Sequence, residues 1–272
     1  MYKQRKTILL SILLFLLISF GKVKAADTLK VLSSYIPVPD TVLVFTPRGY
    51  RTSDSAYPLV YMLHGYGGNY SQINKIIDLQ YYADKYRFVI ACPDGLFDSW
   101  YFNSPVDPKM QYESFFVEDL YPEILKDYRI DSNNIFITGL SMGGHGSMYL
   151  FLRHAKMFKA AASSSGVLDL NYSALKYSSL SDRLGEYDKS KNLFDKFSAI
   201  NQLDSIKFSD KEIFADCGTK DYLLKANKKF NEACMDRWIQ ITFMTMNGRH
   251  NYKYWRKSLP WHFDFFRRVS GR

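Results

Sequence analysis

Short apolar runs alternate with amphipathic segments along most of the chain. "TLKVLSSYIP" and "DTVLVFTP" read as two strands joined by a Pro-Asp turn. "YPLVYMLHG" and "RFVIACPDG" are nearly continuous in apolar character, and "NIFITGL", "FKAAASSSG", "EIFADCG" and "IQITFMTMNG" follow in the same style. Between them, "SQINKIIDLQYYADKY", "ESFFVEDLYPEILKDY", "GGHGSMYLFLRHA" and "YLLKANKKFNEACMDRW" carry helical spacing, as does the closing stretch around "WHFDFFRR". Strands buried on both faces and alternating with helices predict an α/β fold, with a mostly parallel central sheet wrapped by helices on both faces. The first two strands, with their short turn, predict an antiparallel edge. The stretch Val167 to Lys211 breaks the rhythm. It is polar and rich in Tyr and Ser, and it predicts a small helical insertion over one end of the sheet. With no internal repeat and no low-complexity linker, residues 26–272 read as one domain.

The first 25 residues have a different pattern. Basic "MYKQRK", apolar "ILLSILLFLLISF" and small-residue "GKVKAAD" form the three parts of a secretory signal peptide, cut after Ala25 or Ala26. The apolar run is shorter than the ~20 residues that span a bilayer, although an uncleaved anchor stays open. The expected location is secreted or periplasmic, with no stable membrane insertion after cleavage. Five Lys and Arg precede the cut and no acid does, so the formal charge falls from +9 to +4. Without a basic stripe, nucleic acid is not an expected partner. Cys92, Cys217 and Cys234 allow at most one disulfide and show no C-x-x-C spacing; buried thiols are the expectation. Nothing in the sequence calls for a metal or another cofactor.

Candidate chemistry centres on "IFITGLSMGGHGSMYLF". Gly139-Leu140-Ser141-Met142-Gly143 fits G-x-S-x-G, after a strand and at the opening of a helix, which is the setting of a nucleophile elbow. Small flanking residues let the helix cross close to the neighbouring strands and hold Ser141 at the C-terminal edge of the sheet. The Met142 N–H then points into the same space as the serine hydroxyl. "GYGGN" and "GLSMGG" lack the Lys-Ser/Thr of a P-loop, and neither gives G-x-G-x-x-G with an acid downstream.

Serine needs a base, and the base needs an orienting acid. His64 and His145 lie in Gly-rich segments and His154 in the helix after the serine. His250 follows a strand directly and so falls in a loop at the right edge of the sheet; His262, in "PWHFDFF", reads as a helix or surface histidine. For the acid, Asp221 lies in the loop after "EIFADCG", whereas Asp216 inside that strand would need buried partners of its own. Asp221 could also cap the following helix, a role that competes for the same oxygens. A second oxyanion donor is expected from "YMLHGYGGN", on the Tyr66 N–H. The aromatic loop "DGLFDSWYFNSP" offers Trp100 as a contact for substrate.

"TPRGYRTSDSAYPLVYMLHGYGGN", "PDGLFDSWYFNSP", "GLSMGGHGSM", "CGTKD" and "HNYKYW" resemble, in this order, the putative-esterase (esterase D-like) family of α/β-hydrolases. That family includes feruloyl and acetyl xylan esterases, S-formylglutathione hydrolases and mycolyltransferases. The resemblance implies an α/β-hydrolase fold, metal-free chemistry, Ser141 as nucleophile, Asp221 as acid, His250 as base, and oxyanion donors on Tyr66 and Met142. Together with the export signal it implies an esterase acting on a small-molecule or oligosaccharide acyl ester, removing feruloyl or acetyl groups from plant polysaccharide. A general carboxylesterase, a thioesterase like S-formylglutathione hydrolase, and a non-catalytic binding protein on the same scaffold are the alternatives.

Overall fold

A computed structural model describes residues 26–173 and 176–271. The segment read as a signal peptide lies outside them. Eight strands form one sheet: β1 (Asp27–Val31), β2 (Asp40–Phe45), β3 (Tyr57–Leu63), β4 (Val89–Cys92), β5 (Ile130–Leu140), β6 (Ala160–Ser164), β7 (Glu212–Gly218) and β8 (Gln240–Met246). Their spatial order is β1-β2-β4-β3-β5-β6-β7-β8. β1 and β2 pair antiparallel, β2 joins β4 antiparallel, and every later pairing is parallel. This is the α/β-hydrolase arrangement, with the expected antiparallel edge.

Every residue of β3, β4 and β6 is buried. Alternate side chains of each strand feed two cores on opposite faces. Leu59, Tyr61, Ile135, Ile137 and Ile213 pack with the helices Met142–Arg153 and Leu224–Asp236. Val60, Met62, Ile90, Phe136 and Phe214 pack with the helices Leu79–Tyr86 and Tyr252–Ser270. A continuous apolar run is therefore what a central strand requires here, since neither face meets water.

Three helices depart from the reading of the sequence. The segment 71–86 breaks into Gln72–Ile76 and Leu79–Tyr86, because Asp78 takes an extended conformation and caps the second helix through the Tyr81 N–H. The segment carrying Pro122 contains a wide π-helical turn, Phe115–Leu120, in which the Tyr121 N–H reaches Phe116 O. That local widening precedes a proline with no N–H to give. The closing helix runs from Tyr252 to Ser270, straight through Pro260, and is much longer than its aromatic end suggests.

The insertion is helical as expected, with Leu170–Ser173, Ser178–Leu184, Tyr187–Phe197 and a 3-10 stretch at Ala199–Ile206. It is riveted to the loop after β4. Arg183 pairs with Asp98 at 2.8 Å and Asp107 at 2.9 Å, Ser104 donates to Arg183 O, and the Trp100 indole N–H donates to Ser179.

Candidate active site

The turn from β5 into the helix Met142–Arg153 places Ser141 at φ 56° and ψ −116°, a conformation that costs a non-glycine residue about 1–3 kcal/mol. The flanking glycines make the turn possible. A Cβ on Gly143 would lie 2.1 Å from Leu63 O, and one on Gly139 would lie 2.3 Å from Gly143 O. Any other residue at either position would push the helix away from β3.

Ser141, His250 and Asp221 form one hydrogen-bonded chain. Ser141 Oγ lies 2.8 Å from His250 Nε2, and His250 Nδ1 lies 3.0 Å from Asp221 Oδ2 and 3.2 Å from Oδ1. The two tasks considered for Asp221 coexist, because Oδ1 also accepts the Leu223 N–H at 2.9 Å. Burial pushes this carboxyl up, but the hydrogen bond and charge of His250 and the Leu223 N–H outweigh it and hold the group below the ordinary aspartate value. It therefore stays a carboxylate, suited to hold the Nδ1 proton.

Backbone donors flank the serine. The Gly65 N–H is taken by Gln72 Oε1 and the Gly67 N–H by Phe97 O, each at 2.9 Å. Between them the Tyr66 N–H has no acceptor among the described residues. Met142 opens its helix, so its N–H has no partner within that helix.

The other candidates are placed differently. Asp216 is fully buried, accepting from Tyr254 at 2.7 Å and Ser164 at 2.8 Å and meeting His262 Nε2 at 2.6 Å. His262 lies in the last helix, as the sequence suggests, but not at the surface: it is fully buried and its Nδ1 lies 2.6 Å from Thr138 Oγ1. Its place in an aromatic segment broken by a proline hid this. Trp100 has no exposed surface, and its ring packs against Tyr177 at 5.4 Å. Phe97, 59 % exposed, and Tyr66, 38 % exposed, do reach solvent, with their rings 5.1 Å apart. The cysteines are buried free thiols.

Two further features escape the sequence. Tyr177 of the insertion and Tyr222, next to Asp221, bring their hydroxyls into hydrogen-bond contact beside Ser141. Asp40, read only as part of a turn, accepts the N–H groups of Asp94 and Gly95 at 2.8 and 3.1 Å and the Tyr112 hydroxyl at 3.1 Å. It thereby anchors the start of the aromatic loop after β4. Burial pushes its carboxyl up to about 7, against three donors that favour the charged form.

Residues 33–266 match the family model described as "Putative esterase". An acetyl esterase of Caldicellulosiruptor saccharolyticus is 24% identical over 231 residues, spanning 78% of this chain and 84% of that protein. Among solved structures, a ferulic acid esterase superposes with a TM-score of 0.75 at 23% identity, over 90% of this chain and 100% of the other. A fluorophosphonate-binding serine hydrolase of Staphylococcus aureus gives 0.78 at 20% identity, over 89% and 98%.

Proposed function

Since the chain belongs to the esterase family and is a carboxylic ester hydrolase, we propose that it works through an acyl-enzyme on Ser141, with His250 as base and Asp221 as orienting acid. The observation that carries this reading is the unbroken Oγ–Nε2, Nδ1–carboxylate chain, anchored in a strained elbow. His250 Nε2 takes the hydroxyl proton as Ser141 Oγ attacks the acyl carbon. Asp221 holds the Nδ1 proton and favours the imidazolium that forms. The carbonyl oxygen, now an oxyanion, receives the N–H groups of Tyr66 and Met142. On collapse the alcohol leaves with the proton from His250, and water then resolves the acyl-enzyme by the same steps in reverse order. Each backbone donor contributes on the order of 3 kcal/mol to lowering the barrier.

In this reading the enzyme is exported, cleaved after its signal segment, and acts on acetyl or feruloyl esters of plant polysaccharide. Support comes from the N-terminal pattern, from the acetyl esterase relative and from the exposed aromatics Phe97 and Tyr66. The test is release of acetate and ferulate from xylan fragments by the mature enzyme. Release of either supports the reading. Turnover of simple aryl esters without either release leaves a general carboxylesterase.

A further inference from the structure

An ester has to reach Ser141, yet that residue is only 5 % exposed. Two tyrosines from distant parts of the chain cover it. Tyr177 lies just ahead of the insertion helix Ser178–Leu184, and Tyr222 directly follows Asp221. Their hydroxyls bond each other, and that of Tyr177 also lies against the Ser141 side chain. The Tyr177 ring is held on two more sides, by Tyr66 at 5.7 Å and Trp100 at 5.4 Å. Trp100 is itself tied to Ser179, two residues beyond Tyr177. On the other side the Tyr222 ring packs on His250 at 4.8 Å, and the Lys176 ammonium lies over its face. The pair thus forms a roof from the oxyanion side, at Tyr66, to the base side, at His250, with the nucleophile beneath.

We propose that this tyrosine clasp sets the acyl specificity of the enzyme: it admits short acyl groups, acetyl first, and a phenylpropenoyl group reaches Ser141 only when the clasp opens. The proposal rests on Ser141 being the nucleophile. Attack requires the acyl carbon about 3–3.5 Å from Oγ, and in the proposed pose the acyl substituent lies under Tyr177. Acetyl adds one methyl there. A feruloyl group is conjugated with its carbonyl, so it stays rigid and coplanar and cannot fold out from under the roof. Each methylene that a pocket rejects is worth about 10–200-fold in discrimination. The hydroxyl contact between the tyrosines adds an opening cost that only a bulky acyl group has to meet.

The p-nitrophenyl esters of acetate, butyrate and ferulate share a leaving group, so their kcat/KM ratios isolate the acyl side. The enzyme should prefer acetate to butyrate by about tenfold or more, and butyrate to ferulate. Tyr177→Ala should shift the ferulate-to-acetate ratio at least tenfold toward ferulate. Tyr177→Phe and Tyr222→Phe keep both rings and remove half of the clasp; each should shift the ratio the same way by a smaller factor, mainly through KM. A native preference for ferulate overturns the proposal, as does an unchanged ratio in folded Tyr177→Ala. Should that variant fail to fold, an unchanged ratio in both phenylalanine variants overturns it. Labelling of Ser141 by a small fluorophosphonate reads the nucleophile separately, so the roof fails on its own when a labelled enzyme shows unchanged ratios.

Discussion

The described residues include two chains of hydroxyl, imidazole and carboxylate. One is Ser141–His250–Asp221; the other is Thr138–His262–Asp216. The hydroxyls stand three residues apart around the end of β5, the carboxylates five apart around the end of β7, and the histidines on the approach to the last helix and within it. The second chain is the tighter, at 2.6 Å on both sides of the imidazole, against 2.8 Å and 3.0 Å in the first. Short hydrogen bonds therefore do not make a nucleophile. Thr138 sits inside the strand at 0 % exposure, and its imidazole is turned round, with Nδ1 to the hydroxyl and Nε2 to the acid. Ser141 stands on a sharp turn with positive φ at a helix start, beside two backbone N–H groups. The sealed chain ties β5, β7 and the last helix together, and Tyr254 and Ser164 complete the satisfaction of Asp216. The other chain lies under the tyrosine clasp, with the His250 side chain 15 % exposed.

Substitutions at matched positions separate the two. Ser141→Ala should cut turnover by about 10⁴ or more with the fold intact, whereas Thr138→Val should leave turnover within a few-fold and cost about 1–3 kcal/mol of stability by stranding His262. Esterase kinetics and thermal unfolding of the two proteins check this. At the carboxylates, Asp221→Asn should lower kcat by roughly 10³–10⁴, because an amide N–H facing Nδ1 holds the imidazole in the wrong tautomer. Asp216→Asn should instead destabilise the fold by about 3–5 kcal/mol, because it breaks a fully buried pair, and the folded fraction should keep most of its kcat. If Asp216→Asn harms kcat more than Asp221→Asn, the Ser141 chain is not the catalytic one.

Acid probes two further buried histidines. Burial lowers His64 to about 4 and His145 to about 3. Unfolding lets each take up a proton that the folded state refuses, so their contribution to stability is complete above the ordinary histidine value of about 6.5. It declines as the pH falls, until the folded-state values are passed. The melting temperature should drop steadily between pH 6.5 and pH 4. His145→Phe, which keeps the ring packing against Tyr149 at 5.6 Å, should flatten that slope. An unchanged slope would mean that other groups set the acid sensitivity.

How much of this was legible in the sequence depended on how local each signal was. The elbow was, because its glycines, its serine and its flanking strand and helix lie within seventeen residues. The order of serine, acid and histidine was, because each candidate follows a recognisable strand. The choice between Asp216 and Asp221 turned on whether a strand aspartate could be satisfied. Asp216 is, by groups 38 to 52 residues away that no local pattern announces. The burial of His262 escapes the sequence for the same reason, since its two partners lie 46 and 124 residues away. Tyr177 carried no signal at all. It is one tyrosine in a polar stretch, and its partner Tyr222 is 45 residues on. Trp100 was noticed as an aromatic near the sheet edge, but its burial depends on Ser179 and Tyr177 from the insertion.

The central claim is that Ser141, and no other hydroxyl, is the nucleophile. Its most direct test is to label the purified protein with a fluorophosphonate and map the adduct by peptide mass spectrometry. One adduct on Ser141, lost in His250→Ala and retained in His262→Ala, is the predicted result. An adduct on any other residue, or undiminished labelling of the Ser141→Ala protein, would contradict it.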